Sequence, residues 1–168
     1  MDAGSFFESA RDRVLRLDQG RAAVVAIACV QRLAASAHDP APEIAVAIAE
    51  GWNRSMVAAD RNALADHLEQ RSDADDDLVA AAIYSLRASL GSVQDAWWTV
   101  SRFIDAAFES AVLDDSMTSG DALDNAATQP IVRAELEWLQ AILILAEAAT
   151  DGIHLADQLA QRSRREQS

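Results

Sequence analysis

The three histidines are the residues of this chain that could act as metal ligands or bases. His38 and Asp39 form a His-Asp dipeptide, but a phosphohydrolase built on that dipeptide needs another histidine upstream, and the chain has none. The dipeptide also precedes a proline, which favours a helix end. His67, with Asp66 and Glu69 nearby, is typical of a solvated helix face.

Glu147, Asp151 and His154 are spaced i, i+4 and i+7, so they could share one face of a helix. A di-iron bundle would need Glu-x-x-His motifs on two helices, and the sequence contains none. Cys29 is the only cysteine, which excludes an intrachain disulfide and a cysteine zinc cluster, and its apolar neighbours indicate a buried, inert thiol. We expect no metal site and no cofactor.

Sequence motifs for catalysis are also absent. The chain has no glycine-rich phosphate loop, no nucleophile elbow and no Ser/His/Asp set that spacing alone could nominate. The acidic run at residues 73–77 is placed where a helix should begin, and carboxylates there are stabilised by the exposed amides of the first turn. The sequence therefore nominates no catalytic residue and disfavours an enzyme without excluding one.

The charge of the chain points to the kind of partner it could bind. All 14 basic residues are arginines, and 27 carboxylates give a net charge of −13. Residues 39–157 hold six arginines and 22 carboxylates, a charge of −16. Such a field repels nucleic acids and anionic lipids and attracts a basic protein. An acidic surface that only keeps the protein soluble is the alternative interpretation.

Helical periodicity runs through almost the whole sequence, and alternating strand patterns are absent. We predict an all-α, single-domain bundle over residues 1–168, with seven or eight largely antiparallel helices and a frayed tail at 158–168. The second and seventh helices should be innermost. Asp60 is predicted to cap the fourth helix, residues 114–130 to form a break, and Thr128 to cap a seventh helix with Pro130 in its first turn.

Two adjacent tryptophans in the sixth helix face different ways. At about 100° per residue, Trp97 is centred on an apolar stripe, so it should lie in the core. Trp98 is instead centred among polar residues, and Arg102, Asp105 and Glu109 share its face. Stacking on Arg102 or packing under a loop would explain this ring structurally, whereas an anchor for a binding partner is the functional interpretation. These four residues are the candidate partner-binding site.

Three later segments are similar to a known family. They are LVAAAIYSLRASL, DAWWTVSRFIDAAFES and QPIVRAELEWLQAIL, with Ser101 before the pair Phe103 and Ile104, and with Pro130 before a helix that contains Glu135. In this order they resemble the YjaG-like family of small bacterial helical proteins over about residues 12–150. The resemblance implies a helical fold and a bacterial host, and it brings no catalytic residues.

Three functions stay open at this point. The first is a non-enzymatic acidic interaction protein, for example an immunity-type inhibitor of a basic toxin or nuclease. The second is an enzyme or small-molecule binder with a pocket lined by Trp52, Trp138 or Tyr84 and a buried carboxylate or His154. The third is a homo-oligomeric helper in which a second copy covers Trp98. With no signal-peptide pattern and no apolar run of membrane-spanning length, we expect a cytoplasmic protein that does not bind membranes.

Overall fold

The computed structural model describes residues 2–53, 55–73, 76–111 and 119–166. These residues form nine helices and no strand. The helices are α1 (Ala3–Arg16), α2 (Gln19–Ser36), α3 (Pro42–Asn53), α4 (Ala58–Glu69), α5 (Asp77–Ala88), α6 (Val93–Glu109), α7 (Ser119–Thr128), α8 (Pro130–Ala148) and α9 (Gly152–Glu166). The all-α prediction is confirmed. Within the described residues, no helix is both long enough and apolar enough to cross a bilayer.

Short polar side chains begin several of these helices. Asp18 accepts a hydrogen bond from the Arg21 amide at the start of α2, and this bond lowers the pKa of Asp18. Asp76 caps α5 through the Leu78 amide, in the acidic run where the sequence predicted a helix start. Ser92 caps α6 through the Asp95 amide.

Two predicted caps were wrong. Asp60 lies in the first turn of α4, and the N-cap is Val57, which makes no side-chain cap bond. Thr128 ends α7, and Gln129 precedes α8 without a side-chain cap bond, although Pro130 does open the helix as predicted. Both helices thus begin without a side-chain cap bond at the predicted position.

Helix α7 lies inside the region that the sequence predicted as a break. Its end is held by tertiary contacts, because Ala126 and Ala127 are buried and the Asp124 carboxylate accepts a hydrogen bond from the Ala3 amide at 3.0 Å. These contacts join α7 to the rest of the bundle. The described residues therefore contain one helix more than the upper limit of the prediction.

The centre of the bundle consists of α2, α5 and α6, which contact one another closely. All nine residues from Ala22 to Val30 in α2 are buried, and so are the five from Val79 to Ile83 in α5. The prediction that α2 is innermost is confirmed. The prediction that α8 is innermost is wrong, since Ile131 and Ile144 on α8 are each 55% exposed.

Glycine allows two of the helices to meet through their backbones. A Cβ atom on Gly152, the first residue of α9, would lie 2.6 Å from the carbonyl oxygen of Gly20 in α2. Beside this contact, the Arg21 guanidinium donates to the carbonyl oxygens of Ala146 and Ala149 at 3.2 Å, so it satisfies the last turn of α8. The ends of three helices are thus fixed together at one point.

Candidate functional site

The two tryptophans of α6 face opposite environments, as helical geometry predicts. Trp97 is 2% exposed and packs edge-on against Phe7 of α1, with ring centroids 4.9 Å apart. Trp98 is 46% exposed. Exposure of one ring beside a buried one places a large apolar surface in contact with solvent on the outer side of the helix.

Trp98, Arg102, Asp105 and Glu109 follow one another along the outer side of α6, and we call these four residues the α6 strip. Their spacing of i, i+4, i+7 and i+11 keeps them on one face over about 16 Å of helix. Asp105 and Glu109 are exposed, and Arg102 is half-buried. The structure thus keeps all four predicted residues on one accessible surface.

Trp98 pairs with a residue that the sequence analysis did not assign to this surface. Its ring lies 6.4 Å from that of Tyr84 on α5, at an interplanar angle of 36°. Arg102 does not point back to the indole but donates to the Asp77 carboxylate at 3.3 Å. The aromatic end of the strip is therefore a Trp-Tyr pair formed between α5 and α6.

The carboxylates of the strip crowd one another. Desolvation raises the pKa of Asp77, whose bond to Arg102 opposes the shift. Desolvation also raises the pKa of Asp105, and the neighbouring charges of Asp77 and Glu109 raise it further against the opposing effect of Arg102. The folded state therefore holds these carboxylates in a less favourable environment than water.

A groove adjoins the carboxyl-terminal end of the strip. It lies between α2, α5, α6 and α8 and encloses about 350 Å³. Its apolar wall includes Leu33, Phe103 and Ile131, while Asp77 and Glu109 connect its rim to the strip. No residue of this groove was predicted as part of a pocket, and the described residues that line it do not include Trp52, Tyr84, Trp138 or His154.

The rim of the groove carries four carboxylates with different partners. Asp76 caps α5, Asp77 pairs with Arg102, and Glu135 receives two hydrogen bonds from Arg32 at 2.9 and 3.0 Å. In the described part of the chain, Glu109 has neither a hydrogen bond nor an ion pair. Glu109 is therefore the carboxylate that is available to a ligand.

The other residues considered as metal ligands or nucleophiles are hydrogen-bonded or buried within the fold. Glu147 forms two hydrogen bonds with Arg13, at 2.7 and 2.8 Å, and Asp151 accepts one from the His154 amide. Across the described residues, no three metal-binding side chains come together. Cys29 is fully buried, as predicted, and burial raises the pKa of its thiol far above the ordinary value.

The buried carboxylate that the pocket hypothesis required exists, but it has another role. Glu50 is 3% exposed and accepts hydrogen bonds from the Ser55 amide, the Ser55 hydroxyl and the Met56 amide at 2.7 to 3.0 Å. Arg61 Nε lies 3.7 Å from one of its oxygens. Glu50 thus holds Ser55 and Met56, which lie between α3 and α4, and it does not line the groove described above.

Comparison with known proteins adds no assignment. No protein-family model matches the chain, and neither a curated protein nor a solved structure matches it. The resemblance to the YjaG-like family therefore stays a prediction.

Proposed function

We propose that this chain is a non-enzymatic, acidic interaction protein that binds a basic protein partner through the α6 strip. The observation that carries this proposal is the half-exposed indole of Trp98 on the same helix face as Asp105 and Glu109, two carboxylates that form no ion pair within the described residues. Exposed aromatic residues within a polar surround are frequent energetic centres of protein interfaces. Covering this ring would remove apolar surface from water.

The charge of the strip supports a basic partner. With Asp77 and its neighbour Asp76 included, this cluster has one guanidinium, that of Arg102, and a formal charge of −3. Its four carboxylates are Asp76, Asp77, Asp105 and Glu109. A partner with arginines or lysines would neutralise this cluster, and the net charge of −13 would speed its approach at low salt.

A basic toxin or nuclease is the most concrete partner, because a surface that contacts nucleic acid has the complementary charge. An inhibitor of this kind would be encoded beside its target. A symmetric dimer through the same strip is less favourable, since its two copies would bring equal negative charges together. The cytoplasmic location and the bacterial host stay predictions.

A small-molecule binder is the second candidate function, and the groove is the observation that favours it. Its volume of about 350 Å³ falls within the usual range of ligand pockets. Its described lining contains serines and carboxylates but no histidine or cysteine. Binding without catalysis is therefore the form of this candidate that the groove supports.

The decisive experiment measures how Trp98→Ala and a control variant bind a purified partner that has been captured from the native host and identified. We expect Trp98→Ala to raise the dissociation rate about 10- to 30-fold with little change in the association rate. Ile144→Ala is the matched control, because it removes an exposed apolar side chain from α8, outside the strip. Equal dissociation rates for Trp98→Ala and wild type would remove the anchor and with it the proposal.

Sedimentation velocity at several concentrations separates the homo-oligomer from a foreign partner. We expect a monomer in which the acrylamide-quenched fluorescence that Trp98→Ala removes is protected only when the partner is added. A stable dimer in which Trp98 is already protected, and which Trp98→Ala dissociates, would replace the proposed function by self-association.

A further inference from the structure

The groove at the end of the α6 strip has an apolar wall and an acidic rim. Leu33, Phe103 and Ile131 give it an apolar wall, and Ile131 is 55% exposed. Carboxylates form the rim, of which Glu109 is without a partner in the described chain. A ligand that fills the groove must therefore offer apolar carbon to the wall and positive charge to the rim.

The electrostatic environment at Glu109 favours a cation. Glu109 is the last residue of α6, where the helix dipole places partial negative charge. Asp105, one turn earlier, adds a second carboxylate; desolvation raises the pKa of Asp105, and repulsion from Asp77 and Glu109 raises it further. A positive group placed here would relieve this repulsion, and an anionic or neutral ligand would not.

The chemistry of the wall and rim selects an alkyl chain that ends in a cation. A bare metal ion is a poor occupant, since no three metal-binding side chains converge among the residues described. An arginine side chain lays its methylene groups on apolar surface while its charged end stays at the rim. Its planar guanidinium can also donate two parallel hydrogen bonds to one carboxylate, which an ammonium group cannot do.

We propose that the groove binds an arginine side chain of the basic partner, with the methylene groups against Phe103 and Ile131 and the guanidinium on Glu109. The inference rests on the proposed function, because the arginine belongs to the protein that covers Trp98. Trp98 and Glu109 are 11 residues apart on α6, so the two contacts lie about 16 Å apart. The partner should therefore present this arginine about 16 Å from the surface that covers the indole.

The groove can be tested without the partner by titrating the ¹⁵N-labelled chain with butylguanidine and following its amide resonances. We expect saturable shifts at Ser110, Ile131 and neighbouring groove residues, and much smaller shifts with butylurea, which has similar shape and no charge. Glu109→Gln should weaken butylguanidine binding about ten-fold. Glu8→Gln is the matched control, because it removes one exposed carboxylate from α1. Equal shifts with butylurea, or no effect of Glu109→Gln, would overturn the inference.

Measuring how variants bind the partner distinguishes a failure of the groove inference from a failure of the proposed function. We expect Trp98→Ala, Glu109→Gln and Ile131→Ala each to weaken the complex, and Ile131→Ala tests the apolar wall at a position exposed enough to leave folding intact. If Trp98→Ala weakens the complex while both groove variants bind like wild type, the proposed function stands and the groove inference fails. If butylguanidine binds but no protein covers Trp98, a free organic cation replaces the partner's arginine as the occupant.

Discussion

Glu50 and the carboxylates of the α6 strip differ both in burial and in the bonds they make. Glu50 is almost completely buried, yet three donors from the following loop satisfy it. Asp105 and Glu109 are exposed, yet neither has a hydrogen-bond or ion-pair partner in the described structure. A carboxylate whose bonds are all made within its own chain stabilises the fold, whereas one left with unused acceptors can bind something else.

The largest effect should come from Glu50, because its removal strands several buried donors. We expect Glu50→Ala to lower the free energy of unfolding by about 3 kcal/mol, since the amides of Ser55 and Met56 lose their acceptor and Arg61 loses its nearest carboxylate. Urea unfolding followed by circular dichroism measures this change. Partner binding through the strip should be unaffected in the folded fraction. A loss below about 0.5 kcal/mol would show that the bonds of Glu50 contribute little to the stability of the fold.

Arg102→Gln should have an intermediate effect, because Arg102 is the one guanidinium bonded within the acidic cluster. Its partner Asp77 is only 15% exposed, so losing the ion pair leaves a poorly solvated charge. We expect a loss of about 1 kcal/mol at pH 7 and low salt. The loss should shrink in high salt and as the pH falls through the pKa of Asp77, which burial raises above its ordinary value of 3.8, because the protonated carboxyl carries no charge. A loss that is the same at every pH and salt concentration would indicate a packing role instead.

Asp105→Asn should have the smallest effect and the opposite sign. The folded pKa of Asp105 lies above its ordinary value of 3.8, so the folded state disfavours the charged form. This cost is present above the folded pKa and disappears as the pH falls through it toward 3.8. The variant should therefore unfold at a higher temperature than wild type at pH 7 and at nearly the same temperature near pH 4.

Differential scanning calorimetry at several pH values measures the effect of Asp105→Asn. Asp66→Asn is the control, because it removes an exposed carboxylate from α4, away from Asp77, Arg102 and Glu109. Partner binding should weaken while stability rises, as expected where charges are kept together for binding rather than for folding. If both variants change stability equally, the repulsion is a property of the whole acidic surface and not of the strip.

The sequence was sufficient for the parts of the structure that depend on local periodicity. The fold class, the burial of Cys29, and the opposite faces of Trp97 and Trp98 all follow from residue spacing within one helix. Helix α7 was missed because its Gly, Asp and Asn residues are typical of turns, and its helical form depends on contacts such as Asp124 with Ala3. Tertiary contacts of this kind leave no periodic signal.

The same distinction applies to the candidate site. Trp98, Arg102, Asp105 and Glu109 could be grouped from the sequence, because one helix carries all four. Tyr84 and Asp77 could not be added, since their positions depend on how α5 is aligned against α6. The groove depends on four helices that are far apart in the sequence, so only coordinates reveal it.

The backbone contact between Gly20 and Gly152 restricts where insertions near the start of α9 can be accommodated. Any other residue at position 152 would place a Cβ atom within 2.7 Å of backbone atoms of Gly20. Inserting one residue in the turn before α9 would shift a different side chain into this gap and force the last helix away from α2. An insertion just after Gly152 would also rotate the buried Leu155 out of the core. Length variation should therefore be tolerated only beyond Leu159, the last described residue of α9 that packs against the core.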